Sequence, residues 1–115
     1  MSPPVPDYSE RRSEPREPAS IRARVMSGKD LALWADCVIR DLSASGAKIE
    51  LSHFYKLPPR FVLLRFDIGV AFEVVLKWRR ADLAGMAFEA THQLEGDVPP
   101  HLAKVREAWL ALKPR

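Results

Sequence analysis

The sequence lacks the features that stabilise or localise several specialised protein classes. It contains a single cysteine, Cys37, so no internal disulfide can form, and the apolar run around it predicts a buried, inert thiol. No apolar run approaches the roughly 18 residues that a membrane-spanning helix needs. The first residues also lack the basic stretch and apolar core of a signal peptide. We therefore expect a cytoplasmic protein without membrane insertion.

Metal-binding and catalytic patterns are missing too. The three histidines, His53, His92 and His101, lie far apart in the sequence, with no HExxH motif, CxxC motif or carboxylate cluster near them. No nucleophile stands beside an evident base, no acid and base are paired, and no Walker-type loop occurs. The sequence thus predicts a protein that is not an enzyme and has no metal ion or other cofactor.

What the chain has is the composition of one globular domain. Of its 115 residues, 47% are apolar and 29% are charged, which excludes a disordered chain. This length supports one core and is too short for two. Lys and Arg total 18 against 15 Asp and Glu, and the resulting net charge of +3 weakly favours an anionic partner.

Three segments with different patterns follow one another. Residues 1–19 combine prolines with arginines and acids, which predicts a flexible arm. Residues 20–92 contain five or six short alternating segments with tight turns. This pattern predicts a small antiparallel β-barrel, because closure leaves no exposed edge strand. In residues 97–113 apolar side chains recur every three or four positions, which predicts a C-terminal helix packed on the barrel.

The same patterns predict which side chains face the core. Val62, Leu64 and Phe66 would point inward from one strand. Trp78 continues the inward series of the next strand and is interpreted as core, and a surface platform for base stacking is the weaker alternative. The apolar stripe of the helix, which ends at Leu112, would close one end of the barrel.

The arm carries an RRxxxR motif formed by Arg11, Arg12 and Arg16. Arginine clusters in proline-rich arms are usually solvated charge. Guanidinium groups also bind phosphate oxygens in bidentate fashion and lie flat on purine faces, which lysine does less well. An arm of this kind could close over a phosphorylated ligand.

A second motif, DxSxxG, consists of Asp41, Ser43 and Gly46. Without a ligand it is an ordinary turn, because Asp and Ser bond their own backbone and Gly accepts positive φ. The same groups also suit a ligand. A carboxylate can accept from guanine N–H groups or orient an arginine, a hydroxyl can reach a phosphate or base, and glycine allows close backbone approach. Both interpretations can hold together.

An arginine arm before the first strand and a DxSxxG turn after the second resemble the PilZ domain family. The resemblance runs from about Glu10 to Ala90. Besides the two motifs it includes Val38–Ala47, Leu57–Pro59, Val75–Arg80 and Gly85–Phe88. It implies a six-stranded antiparallel β-barrel that binds the bacterial second messenger cyclic di-GMP and signals, without catalysis, to an effector protein.

The resemblance also implies roles for individual residues. Arg12 and Arg16 would hold phosphates and guanine edges, while Asp41, Ser43 and Gly46 would form the surface under a guanine.

The arm has two further features. In relatives, an arginine directly before RxxxR accompanies binding of an intercalated ligand dimer, so Arg11 implies two nucleotides per protomer. Pro15 departs from the pattern, because it stiffens the arm beside Arg16.

Two other functions remain open at this stage. The domain could be a protein-interaction adaptor that binds no ligand, although its intact motifs argue against this. It could also bind single-stranded nucleic acid on a barrel of the OB type. The second alternative is the weaker, since the alternation predicts no solvent-facing aromatic side chains on the strands.

Overall fold

The apolar alternation produces six strands in the computed structural model, which describes residues 17–112. These strands are β1 (Glu17–Ser27), β2 (Leu33–Leu42), β3 (Gly46–Glu50), β4 (Arg60–Arg65), β5 (Val70–Arg80) and β6 (Leu83–Gln93). All pairs are antiparallel in the order β1-β2-β3-β6-β5-β4, and β4 pairs back to β1, so the sheet closes into a ring. A helix follows the last strand. The predicted all-β fold with six antiparallel strands and a C-terminal helix is confirmed.

β1 begins earlier than the alternation predicts. Its pairing with β2 starts at Glu17, inside the segment that we predicted to be an arm. A register shift lies between Pro18 and Ile21, where regular alternation begins. A proline fits there, because a residue without an N–H group is tolerated at a bulge.

The ring encloses an apolar core to which every strand contributes. Its members are Ala23, Val25, Ala35, Cys37, Ile39, Ile49, Leu51, Phe61, Leu63, Val70, Phe72, Val74, Ala84 and Met86. The buried thiol predicted for Cys37 is confirmed. Burial, with a smaller contribution from the charge of Asp36, raises the pKa of Cys37 to about 12, so its thiol stays protonated at neutral pH.

A second apolar cluster lies on the outer surface of the ring, beneath the helix. After β6 the chain forms a 3₁₀ turn (Pro100–Leu102) and helix α1 (Ala103–Leu112). The buried members from this segment are Leu102, Val105 and Trp109. The Trp109 indole N–H also donates to the Phe66 carbonyl at 3.1 Å. None of the helices in residues 17–112 has the length and apolar character needed to span a membrane.

The position of this second cluster shows that three predictions about side-chain and helix placement are wrong. The three residues predicted to face inward are buried beneath α1 on the outer face: Val62, Leu64 and Phe66. Their neighbours Phe61 and Leu63 face the interior instead. The helix therefore covers the wall of the ring and does not close an end. Leu112, the last residue of the predicted stripe, is 38% exposed.

A carboxylate anchors the approach to α1. Glu73 Oε2, on β5, lies 2.6 Å from His92 Nε2 on β6 and 3.2 Å from His101 Nε2 in the 3₁₀ turn. The hydrogen bond with His92 is the main cause that lowers the pKa of Glu73, and the bond with His101 lowers it further. Ionised Glu73 thus links both strands to the segment that leads into the helix.

We expect Glu73→Gln to lower the melting temperature at pH 6, and to lower it progressively less as the pH falls towards 3. The pKa of Glu73 is lower in the folded than in the unfolded protein. Its ionised form therefore adds stability above the unfolded pKa, and this contribution is lost as the pH falls through the folded pKa. Because the side chain is 34% exposed, the effect is limited to about 1 kcal/mol.

Thermal unfolding followed by circular dichroism at the two pH values measures this difference. Glu95→Gln is the control, since exposed Glu95 makes no ion pair within residues 17–112. An equal loss of stability at pH 3 and pH 6 would contradict the proposed origin.

Candidate functional site

The DxSxxG motif forms the hairpin between β2 and β3. The Ser43 backbone N–H donates to the Gly46 carbonyl at 2.9 Å, and the Ser43 hydroxyl donates to the same oxygen at 3.3 Å. The Phe88 backbone N–H donates to the Ser45 carbonyl at 2.8 Å, which ties the hairpin to β6. The motif therefore forms an ordinary turn, and these hydrogen bonds fix the shape of the turn.

Gly46 is required by close packing and not by its own backbone conformation. Its φ is not among the positive values found in residues 17–112, so the expectation of positive φ is wrong. A Cβ at this position would collide with the Met86 carbonyl oxygen on β6. A backbone oxygen cannot move aside as the end of a flexible side chain can. Glycine thus allows β3 to approach β6 closely.

A bulge in β2 places Asp41 on the outer face of the ring. Ile39 pairs with Ile49, but the next register pair is Asp41 with Lys48, so Arg40 is the extra residue. Without this bulge, Asp41 would continue the inward series that ends at Ile39. Asp41 is therefore the end of a strand and not part of the loop, and its Oδ2 lies 3.0 Å from Lys48 Nζ.

A second bulge moves Trp78 to the same outer face. Leu76 pairs with Met86, but Trp78 pairs with Gly85, which makes Lys77 the extra residue of β5. Trp78 is 44% exposed, so its interpretation as core is wrong. Its indole lies over Gly85, where a Cβ would collide with the ring. This surface position favours the alternative that the sequence ranked lower, a platform for stacking.

The two bulges bring four residues into one row across four strands. In order over β2, β3, β6 and β5, this outer row consists of Asp41, Lys48, Gly85 and Trp78. Neighbouring strands are about 4.8 Å apart, so the row spans roughly 14 Å of backbone. It presents a carboxylate and an ammonium group at one side and a flat indole at the other. Such a surface can accept and donate hydrogen bonds to a base and can stack with it.

The sequence analysis missed Lys48 and Gly85, although a signal for Lys48 was present. A two-residue hairpin loop at Ala44 and Ser45 pairs position 43 with 46 and position 41 with 48. Counting across the turn would have identified Lys48 as the partner of Asp41. No comparable signal identifies Gly85 as the residue beneath an indole, because the position of the indole depends on the bulge in β5.

The predicted arginines lie outside the described residues: Arg11, Arg12 and Arg16. The ring nevertheless fixes where their segment joins. Glu17 pairs with Leu42, and Pro18 pairs with Asp41. The described chain thus begins beside the DxSxxG turn, and the RRxxxR motif directly precedes it in the sequence.

The structure holds no group of three or more His, Cys, Asp or Glu side chains, within residues 17–112, that is arranged to bind a metal ion. The chemistry available around the turn is that of hydrogen bonding, ion pairing and stacking.

Comparison with models of protein families matches residues 10–97 to the PilZ domain. The matched range covers both motifs and all six strands, and it ends before α1. Comparison with curated proteins gives no match.

We expect Gly46→Ala to destabilise the fold by about 1–3 kcal/mol, because the added methyl group must displace the backbone of β6 or of the turn. Ser43→Ala is the matched comparison in the same turn. It removes one long hydrogen bond and keeps the backbone bond, so it should cost about 1 kcal/mol or less. Equilibrium unfolding in urea gives both values. A stability of Gly46→Ala equal to that of the unmodified protein would show that β3 can move away from β6.

Proposed function

The chain belongs to the PilZ domain family, and from this premise we propose that it is a non-catalytic receptor for cyclic di-GMP that signals to an effector protein. The family is generally one of cyclic di-GMP receptors. We place its action in the cytoplasm. The effector is a separate protein to which the bound state is presented.

One observation supports the proposal most strongly. The described part of β1 begins beside the DxSxxG turn, since Glu17 pairs with Leu42 and Pro18 with Asp41, and the RRxxxR motif directly precedes Glu17 in the sequence. A ligand with two phosphates and two guanines needs planar cations and hydrogen-bond acceptors within reach of one another. We propose that the two motifs supply these groups together.

In the proposed complex, the arm and the turn hold opposite sides of the nucleotide. Arg12 and Arg16 bind phosphates and guanine edges, while Asp41, Ser43 and Gly46 form the surface under a guanine. Ser43 and Gly46 act mainly by fixing the shape of that surface, because both already bond within the turn. The Asp41 carboxylate is the group that can give up its partner within the protein and bind the ligand instead.

In this site Lys48 competes with the ligand and the arm for the Asp41 carboxylate. Their ion pair at 3.0 Å is partly exposed, with 25% of the Asp41 side chain and 33% of the Lys48 side chain accessible. Exposed pairs of this kind contribute little stability, so an arginine or guanine can replace the lysine at low cost. Released Lys48 then adds one positive charge beside the bound phosphates.

We expect Arg16→Ala and Asp41→Asn each to weaken cyclic di-GMP binding at least tenfold, since each removes a charge-assisted hydrogen bond, which contributes roughly 1.5–3 kcal/mol. Isothermal titration calorimetry gives the dissociation constants. Asp36→Asn is the matched control: Asp36 lies on the same strand and pairs with Arg24 at 2.8 Å, away from the turn.

The control should bind as the unmodified protein does, and circular dichroism should show that all variants are folded. Unchanged affinity in Arg16→Ala or Asp41→Asn would overturn the assignment of these residues. No binding heat with the unmodified protein would favour the adaptor function instead.

Arg11 allows a separate prediction about stoichiometry. If Arg11 supports an intercalated ligand dimer, the unmodified protein binds two nucleotides per protomer and Arg11→Ala binds one. The same titrations give this number directly. A stoichiometry unaffected by Arg11→Ala would contradict the role of this residue.

Nucleic-acid binding needs its own comparison, because the structure removes one objection to it. Trp34 and Trp78 are solvent-exposed aromatic side chains on strands, contrary to the expectation from alternation. Tight, salt-sensitive binding of an oligonucleotide with no preference for cyclic di-GMP would favour that function. We expect the cyclic dinucleotide to be preferred, since the outer row offers one indole and not a series of stacking side chains.

A further inference from the structure

Arg40 occupies the point at which the pairing of β2 is irregular towards both of its neighbouring strands. Towards β1, two residues, Ala19 and Ser20, stand opposite Arg40. Towards β3, no residue stands opposite it, because the register passes from Ile39 directly to Asp41. A bulged residue is left out of the regular ladder, so strand pairing constrains the chain least at this point.

The bulge places two consecutive side chains of β2 on the outer face of the ring. Ile39 and Leu42 pack into the interior core, so Arg40 and Asp41 between them both lie outside. Asp41 directly follows the bulged residue. Freedom of the backbone at Arg40 would therefore turn the Asp41 carboxylate relative to the rest of the DxSxxG turn.

The side chain of Arg40 spans the irregular point. Its Nε donates to Glu50 Oε1 on β3 at 2.8 Å, and its Nη1 donates to the Ser20 hydroxyl on β1 at 3.5 Å. The first bond is short and charge-assisted, whereas the second is long. Ser20 is itself one of the two residues that oppose Arg40 in the β1 bulge. The guanidinium thus joins three strands where the backbone ladder is interrupted.

These contacts do little for the stability of the whole fold. The side chains of Arg40 and Glu50 are 42% and 49% exposed, and ion pairs that are exposed to this extent contribute little to folding. Their effect is on local order, because they fix a point of the chain that strand pairing leaves loose.

We propose that Arg40 is a positioning residue of the candidate ligand site. Its contacts with Glu50 and Ser20 hold the bulge, and the bulge directs the Asp41 carboxylate towards the ligand. This inference rests on the proposed function as a cyclic di-GMP receptor. A carboxylate that is already positioned loses less entropy when it binds a ligand. Arg40 acts through Asp41 and makes no contact with the nucleotide itself.

Two single variants test this role, Arg40→Gln and Glu50→Gln. They change the net charge in opposite directions, so an effect of charge alone on an anionic nucleotide would weaken binding in one and strengthen it in the other. We expect both variants to weaken cyclic di-GMP binding by roughly two- to tenfold, because a group freed in the unbound protein must be ordered again on binding. Isothermal titration calorimetry gives the dissociation constants.

The double variant and a matched control complete the titrations. Arg40→Gln combined with Glu50→Gln should bind no more weakly than the weaker single variant, since both changes remove the same contact. Asp36→Asn is the control, because Asp36 on β2 is 50% exposed and accepts from Arg24 Nε at 2.8 Å, in the same kind of ion pair. It should bind as the unmodified protein does.

Amide hydrogen exchange of the protein without nucleotide, followed by NMR, tests the same role independently of binding. We expect residues 39–42 to exchange faster in both single variants and residues 61–64 of β4 to exchange as in the unmodified protein. Local loosening changes only the nearby amides, whereas general destabilisation changes both groups. Asp36→Asn should leave residues 39–42 unchanged. This measurement decides the role of Arg40 even where calorimetry shows that the unmodified protein binds no cyclic di-GMP.

Three results would overturn the proposal. The first is a Glu50→Gln variant that binds as tightly as the unmodified protein or more tightly, as expected if Arg40 contacts the ligand directly or has no role. The second is a double variant in which the two losses add. The third is exchange in residues 39–42 that changes no more than exchange in residues 61–64.

Discussion

Closure of the sheet is the constraint on which the candidate site depends. In a closed ring each strand turns one face to the apolar interior, so strict alternation sets the inside and outside positions along its whole length. Asp41 and Trp78 both fall on inward positions of that alternation. Single extra residues at Arg40 and Lys77 reverse the alternation at these two points. The outer row exists because these bulges bring a carboxylate and an indole to the surface of the same wall.

The sequence therefore predicts the regular parts of the molecule better than the site itself. Alternation predicted five or six strands, the resemblance implied six, and the spacing of apolar residues predicted the helix, since both patterns follow from the geometry of the backbone. A bulge adds one residue without a distinctive composition, so Trp78 could not be placed. The inward orientation predicted for Val62, Leu64 and Phe66 was wrong for another reason. Helix α1 covers the outside of β4, so both faces of that strand are apolar. For such a strand the sequence pattern shows that the side chains are buried, but it does not show which of them face the interior of the ring.

The hairpin shows why a structural and a binding role are hard to separate in this protein. Gly46 fits because a backbone carbonyl of β6 leaves no room for a side chain, and the Ser43 hydroxyl bonds to the Gly46 carbonyl. Both residues would contribute to the fold with no ligand at all, Gly46 more than Ser43. Asp41 differs, since its ion pair with Lys48 is partly exposed and does little for stability. Loss of binding is thus most informative at Asp41, where folding and recognition are least connected.

The closed hydrogen bonding of the ring also limits how a bound ligand could act. Every strand is hydrogen-bonded on both sides, and Arg79 Nη2 donates to three carbonyl oxygens of the loop that follows β3. A ligand bound at the DxSxxG turn, as proposed, would therefore act chiefly on what lies beside that turn, where β1 begins. The proposed effector would then contact the region beside the turn.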